Sequence, residues 1–382
     1  MLFKTTEAHE AFRAEVRKFA ETEIKPLVVR LDEKNEFAAD AIKQMGKLGY
    51  MSIPYPKEYG GKGLDMLSYI IAVEELSRVD GGSGVALSVH ISLCSWPILE
   101  YGTEEQKKKY FVPLAKGEKL GAFGLTEPNA GSDASGAETT AKLEGDFYIL
   151  NGKKIFITNA PMADTYVIIA VTDPSAGTKG MSAFIVEKGW EGFTYGETYN
   201  KMGIRSSSTA ELIFNNVKVP KENLLGKESE GFRIAMAVLD GGRIGIAAQA
   251  LGIAQGAYES ALTYSKTRVQ FGRPIAAQQA VSFKLAEMAT KLRAARLMVY
   301  SVAELKENHQ PFAMEAAMAK FYVSELGLEI ANEAVQIHGG CGYMKGMDVE
   351  RFYRDAKICT IYEGTNEIQR VVVAANIIGR LK

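Results

Sequence analysis

Between Lys119 and about Gly226 the chain gives up helical periodicity for short β-rich runs set apart by turn residues, with no helix-length segment among them. A β block of roughly a hundred residues flanked by helices on both sides restricts the fold to a mainly helical α+β class, with a small barrel or sandwich at its centre. Phe147–Leu150 and Lys153–Thr158 read as two strands joined by Asn151–Gly152, a dipeptide favoured in two-residue type I′ hairpins. Tyr166–Val171, Ser182–Val186 and Thr209–Phe214 continue the series.

On the N-terminal side Ala8–Leu31 and Ala38–Leu48 carry helical spacing, Pro54–Gly63 is a proline- and glycine-rich loop, and Ser68–Val79 resumes the helix. On the C-terminal side Val281, Leu285, Met288, Leu292, Ala295, Val299 and Val302 recur at spacings of three and four. Ala317, Phe321, Ser324, Leu328, Ala331 and Val335 do the same, and such stripes are the seams of helices packed side by side. Ile244–Tyr264 is rich in Ala and Gly, which lets helices approach closely, and a further helix follows Thr365 with Ile368, Val372 and Ala375 on its apolar face. The expected organisation is an N-terminal helical domain over 1–118, a central β domain over 119–226 and a C-terminal four-helix bundle over 227–382.

Charge and cysteine usage exclude several classes. A formal net charge of −1 leaves no electrostatic footprint for nucleic acid or an anionic membrane surface. Met1–Glu7 runs directly into an amphipathic helix without an apolar signal core, and no apolar run reads as long enough to cross a bilayer, so a cytoplasmic location is expected. Cys94, Cys341 and Cys359 show no paired spacing, which fits a reducing compartment. His9, His90, His309 and His338 are scattered, and no metal is expected. The chain has neither a G-x-G-x-x-G turn after a strand, a P-loop, nor a G-x-S-x-G elbow.

Five groups of residues could carry chemistry. Thr360–Ile361–Tyr362–Glu363–Gly364–Thr365–Asn366–Glu367 places a carboxylate on a short glycine-hinged loop between two helical segments, where it is positioned like a base, or serves as an ordinary turn with a solvated acid. Phe123–Asp133 leaves a strand and is crowded with residues that present N–H groups and hydroxyls to something polar, or forms a plain surface turn. Phe156–Ile157–Thr158–Asn159 would suit the face of a planar heterocycle, although Phe156 serves equally as core. Arg268, Phe271 and Gln279 offer a guanidinium and an amide, and Gln336–Ile337–His338–Gly339–Gly340 is a helix end stopped by glycines, with His338 on the apolar seam as a core histidine.

Taken in order, Leu125–Thr126–Glu127–Pro128, Gly131–Ser132–Asp133, Phe156–Ile157–Thr158–Asn159, Asp240–Gly241–Gly242–Arg243, Arg268 with Phe271–Gly272–Arg273–Pro274 and Gln279, Gln336–Ile337–His338–Gly339–Gly340 and Tyr362–Glu363–Gly364–Thr365 make the chain closely resemble an acyl-CoA dehydrogenase over nearly its whole length. The resemblance implies a flavoenzyme that binds FAD, forms a homotetramer, oxidises an acyl-CoA to the trans-2-enoyl-CoA and passes electrons to electron-transfer flavoprotein. By position, Phe123, Leu125, Thr126, Gly131 and Ser132 would line the flavin, with Ser132 also near the thioester, and Phe156, Ile157 and Thr158 would cover its other face. Arg268, Phe271, Gln279, Gln336, Ile337, Gly339 and Gly340 would reach the FAD of a neighbouring subunit, and Thr365 and Glu367 would hold the phosphate and ribose region. Asp240, Arg243 and Gly364 would face the acyl-CoA, and Glu363 would be the base.

A thioester α-proton is weakly acidic, so the implied mechanism needs the carbonyl polarised by the Glu363 N–H and a flavin ribityl hydroxyl while the β-hydride leaves for flavin N5. In isovaleryl-CoA and long-chain members the base comes from the earlier helix, where this chain has Gly242, which points to the short-, medium- or short-branched-chain arrangement. Glutaryl-CoA dehydrogenase carries an arginine where this chain has Gly84, which counts against a dicarboxylate substrate. The reading from another class is a non-catalytic acyl-CoA or flavin binder on the same scaffold, which would have no need of the acid at Glu363.

Overall fold

The computed structural model describes residues 5–379, so the Met1–Lys4 part of the leader reading and the outermost ends of the first and third expected domains lie outside the described residues. Helices α1 (Glu7–Phe19), α2 (Val28–Lys34), α3 (Ala39–Lys47), α4 (Met66–Ser77), α5 (Gly81–Ser88), α6 (Trp96–Tyr101), α7 (Glu104–Gln106) and α8 (Val112–Ala115) form the first helical block. Side chains start these helices where the first N–H groups lack partners: Thr6 Oγ1 accepts from His9 N at 3.2 Å, and Asp65 and Asp80 accept from Ser68 N and Ser83 N at 2.8 Å each. Buried Glu74 and Glu75 on α4 gather arginines from both ends of the chain, Arg13 and Arg17 at 2.8 Å from Glu75 and Arg296 at 2.8 Å from Glu74, and so tie the first block to the last.

Gly81–Tyr101 forms one continuous helix whose length and composition suit a membrane span, as does the later Gly231–Thr267, which corrects the reading that no apolar run is long enough. Their most apolar windows are 89% and 78% buried within the protein, so both serve as core helices here.

The middle of the chain holds β1 (Gly121–Gly124), β2 (Thr140–Glu144), β3 (Phe147–Thr158), β4 (Thr165–Val171), β5 (Met181–Glu187), β6 (Phe193–Thr198), β7 (Thr209–Pro220) and β8 (Leu224–Leu225). They make one sheet in the order β6-β7-β3-β2-β4-β5-β8, with β1 beside β4, antiparallel except where β4 meets β1 and the end of β2. β4 is buried at every position, which accounts for its unbroken apolar run. Asn151–Gly152 does not close the expected hairpin. β3 runs straight through it, the turn lies instead at Gly145 (φ +60°), and Gly152 (φ +147°) absorbs a register slip against β7. A Cβ at Gly152 would stand 2.5 Å from Thr139 Oγ1, so the glycine is required by a bulge rather than by a turn.

The third block is α9 (Gly231–Thr267), a two-strand turn of β9 (Val269–Gln270) and β10 (Arg273–Pro274), α10 (Gln279–Glu307), α11 (Ala313–His338), α12 (Asp348–Ile358) and α13 (Asn366–Ile378). The four expected helices are present, and α12, unread in the sequence, is a fifth. α13 buries only Asn366 and Gln369, so its expected apolar face is left half-covered, with Val371 and Ile377 exposed beside it.

α9 is the hub, in contact with α4, α5, α10, α11 and α12. Its glycines permit this: a Cβ at Gly252 would overlap the Glu74 carbonyl, and one at Gly256 would overlap that of Arg78. Gly252→Val is therefore expected to lower stability by about 1–3 kcal/mol or more, read as a reduced urea midpoint, whereas an unchanged midpoint would mean that α4 and α9 are not in backbone contact.

Candidate active site

The loop between α12 and α13 is fixed by donors to its carbonyls. Glu363 has φ +52° and Gly364 φ +89°, and a non-glycine residue held there costs on the order of 1–3 kcal/mol unless its surroundings impose it. Gln369 Nε2 donates to Glu363 O at 3.1 Å and Gly364 O at 2.9 Å, and Lys320 Nζ donates to Gly364 O at 2.7 Å. Asn366 N reaches Thr360 O at 3.0 Å, Tyr362 Oη donates to Gln249, and Thr365 Oγ1 accepts from Ile368 N at 3.3 Å as the expected cap of α13. A Cβ at Gly364 would stand 2.6 Å from Gln369 Nε2, which adds a steric reason for glycine. The Glu363 N–H has no partner among the described residues.

Glu363 as a residue retains some exposure, yet both carboxylate oxygens are buried without a hydrogen bond. Such orphans are rare in a folded protein. The carboxyl lies against Gly242 of α9, where a Cβ would overlap Oε2 and come within 2.7 Å of Leu93 Cδ2. Burial pushes its pKa up to about 8 against the opposing pull of Lys320 and Arg243. Arg243 Nη1 donates to Asp240 Oδ1 at 2.5 Å, and burial pushes the aspartate up and the arginine down while each holds the other back. Arg243 Nε is a further buried atom without a partner.

The helix Gly81–Tyr101 couples this pocket to the sheet. Leu93 meets Gly242, while His90 Nδ1 accepts from Gly121 N at 3.0 Å and Cys94 Cβ leaves 2.7 Å for a Cβ at Gly121. β1 then runs into the Leu125–Ser132 loop, which is laid against the far part of β3 by Ile155 N donating to Thr126 O at 2.9 Å. Beneath it Lys154 Nζ donates to Leu125 O at 3.0 Å and Glu127 Oε1 at 2.5 Å, and Glu127 accepts from Glu138 N at 2.6 Å. Thr126 is thereby brought beside Phe156, whose ring is 61% exposed at φ +58° and backed by Tyr199 at 5.0 Å. Gly131 has nothing within 4 Å of where a Cβ would stand, Ser132 is exposed, and Phe123 and Leu125 lie at the core's edge with 8% exposure each. A buried unpaired acid and an open aromatic with a glycine-rich loop, tied together through the helix Gly81–Tyr101, supply the parts of a site for a flat cofactor and a substrate that loses a proton.

Sequence profiles of the acyl-CoA dehydrogenase N-terminal, middle and C-terminal domains match residues 6–118, 122–217 and 229–378. A short-chain specific acyl-CoA dehydrogenase of Clostridium acetobutylicum is 54% identical over 377 residues, 99% of this chain and 100% of the relative. The chain belongs to the acyl-CoA dehydrogenase family. Among solved structures, butyryl-CoA dehydrogenase from Megasphaera elsdenii superposes with a TM-score of 0.98 at 50% identity, covering 99% of this chain and 100% of the other. A chain from work on the electron transferring flavoprotein of Acidaminococcus fermentans also gives 0.98, at 54% identity and full coverage of both. This acyl-CoA dehydrogenase is an enzyme of a flavoprotein family that dehydrogenates acyl-CoA substrates.

Other sequence-predicted residues of the dehydrogenase lie elsewhere. Arg268, Phe271, Gln279, Gln336, Gly339 and Gly340 are exposed at one end of the bundle, brought together by Tyr264 stacking on the core residue His338 at 4.3 Å. Along α9 this end stands about 39 Å from Gly242, taking ~1.5 Å of rise per residue, so these residues and Glu363 do not share one pocket within a single chain. Thr158 is half-buried, whereas Ile157 and Ile337 bury their side chains in the core at 3% and 7% exposure, which leaves backbone at those two positions for a ligand. Thr365 and Glu367 stand at the start of α13, Glu367 exposed in its first turn.

Three supporting residues escaped the sequence reading: Lys320, Lys154 and Tyr199. Lys320 falls three residues after Ala317 and four before Ser324, hence on the buried seam, and Lys154 shares the inward parity of Leu150, so a lysine on a buried stripe was the available signal for both. Tyr199 had none.

Between the ordinary carboxylate range and about 8 the folded enzyme keeps a proton on Glu363 that the unfolded chain has released, so this group lowers stability as pH rises through that window. Thermal unfolding of flavin-loaded wild type and Glu363→Gln across pH is expected to show the variant gaining over wild type as pH rises, with the difference vanishing in acid. A pH-independent difference would mean that Glu363 is solvated.

Proposed function

We propose that this acyl-CoA dehydrogenase converts a short-chain acyl-CoA to its trans-2-enoyl-CoA, with Glu363 removing the α-proton. The observation that carries the reading is the buried carboxyl whose two oxygens have no protein partner. Burial disfavours the anion, and the same burial favours the neutral acid that forms when the proton arrives, which suits a base working near neutrality. With the carbonyls of Glu363 and Gly364 engaged by Gln369 and Lys320, the unpaired Glu363 N–H is left to polarise a thioester oxygen. A donor of this kind is worth roughly 10²–10³ in rate.

The residues fit FAD. Phe156 offers an open ring face, Thr126 and Ser132 offer donors, and Gly131 leaves a cradle that a side chain would narrow. When bound, the flavin supplies the acceptor for the β-hydride. The exposed Arg268, Phe271 and Gln279 with the Gly339–Gly340 turn suit the cofactor of a second subunit, because they stand too far along α9 to serve Glu363's own pocket. The 94% exposed Phe271 and the uncovered apolar residues of α13 support assembly, which we read as a homotetramer. Electron-transfer flavoprotein is the proposed acceptor of the electrons, supported by the similarity to the chain from the Acidaminococcus fermentans work.

The preference for short chains rests on α9. One turn beyond Gly242, a Cβ at Gly245 would overlap Ser88 Oγ and reach Tyr69 Oη at 3.0 Å, so α9 is packed tightly there, and the similarity to the short-chain specific relative supports the same preference.

The purified enzyme is expected to be yellow and to bleach when butyryl-CoA is added without oxygen. Glu363→Gln should keep the colour while bleaching ~10²–10⁴-fold more slowly, and a variant that bleaches at the wild-type rate would reject Glu363 as base. Across butyryl-, hexanoyl-, octanoyl- and palmitoyl-CoA the rate should fall with length; a maximum at octanoyl or beyond would reject the short-chain reading.

A further inference from the structure

We propose that Lys320 is a positioning residue for the base: from α11 its ammonium holds the Gly364 carbonyl and supplies the positive charge that lets the Glu363 carboxyl ionise inside a desolvated pocket. The inference rests on the reading of Glu363 as base and adds what makes that base usable.

Lys320 is fully buried, and no acidic side chain lies within 4.0 Å of its ammonium among the described residues. A buried ammonium without an ion-pair partner is expensive and persists only where something else holds it. Here its bonds are to Gly364 O at 2.7 Å and Asn366 Oδ1 at 3.1 Å, the residue after the base and the first residue of α13. Both bonds are local to the loop that carries Glu363.

Charge bookkeeping singles out this lysine. The groups within electrostatic reach of the carboxyl are Arg243 from α9, Tyr69 from α4, Tyr362 from the loop and Lys320 from α11; Asp240 faces Arg243, and Cys359 at the end of α12 and Glu367 of α13 face the lysine. Arg243 is already matched by Asp240 at 2.5 Å. Lys320 is thus the cation of this group with no carboxylate at ion-pair distance, near a carboxyl without a hydrogen bond. Burial brings the lysine down to about 8, which leaves it charged at neutrality, and its field opposes the upward push on Glu363.

Removing the charge should raise the pH at which Glu363 becomes a base. Flavin-loaded Lys320→Gln, Lys320→Met and Lys320→Arg are compared with wild type by the pH dependence of the anaerobic bleaching rate with butyryl-CoA. Gln keeps a donor for Gly364 O but no charge, so the acid limb should move to higher pH by about one unit, roughly tenfold in rate on that limb. Arg should hold the limb in place, and Met should shift it and also lower the plateau. An acid limb of Lys320→Gln that coincides with wild type would overturn the inference whatever happens to the plateau, and the Gln and Arg pair decides the matter if Met fails to fold. Should Glu363→Gln bleach normally, the underlying assignment of the base falls; should it stay inactive while the Lys320→Gln limb is unmoved, only the role of Lys320 falls.

Discussion

The site depends on one missing side chain. At Gly242 the central helix presents bare backbone, and the Glu363 carboxyl occupies the space that any Cβ would need. The same helix is bare at Gly245, Gly252 and Gly256, where Ser88 and the carbonyls of Glu74 and Arg78 approach. Close approach along this face lets α4, the Gly81–Tyr101 helix and the α12–α13 loop converge, and their convergence removes water from the acid. Glycine weakens a helix by roughly 1 kcal/mol per residue relative to alanine, a cost offset here by burial that is unbroken from Gly241 to Ala254.

Desolvation alone would leave an inert neutral acid. The loop counters it with a backbone held at positive φ by donors from α11 and α13, with a free N–H beside the carboxyl and with Lys320 and Arg243 near enough to favour ionisation. The acid is therefore poised between the cost of burying its charge and the field of cations that are themselves buried. The buried Lys154–Glu127 pair holds the Leu125–Ser132 loop against β3. The chemistry and the planar-ligand face thus rest on separate elements joined by one helix.

Much of this was legible in the sequence because it follows from spacing. The seams of α10 and α11, the β character of the middle block and the loop before α13 are local patterns, and each is present in the structure. The errors arose where local chemistry has two uses: Asn151–Gly152 fits a hairpin turn and a bulge alike, and register against β7 decides between them. α12 went unread because its inward apolar residues, Val349, Phe352 and Ala356, are few and interleaved with charge, including the buried Arg351 and Asp355. Phe156 could be core or ligand face from sequence, and its exposed ring beside Thr126 comes from β3 packing against a loop thirty residues away, which no spacing rule reports. Lys320 and Lys154 were missed for a related reason: a lysine on an apolar stripe reads as noise until the carbonyl it serves is seen.

The central claim is that the Glu363 carboxyl is desolvated and still protonated well above the usual carboxylate range. Difference infrared spectroscopy of the flavin-loaded enzyme over a pH titration, with Glu363→Gln as the reference, observes that proton directly. The account predicts a protonated-carboxyl band present at neutral pH, absent from the variant and lost around pH 8. A band that disappears in the ordinary carboxylate range would contradict it.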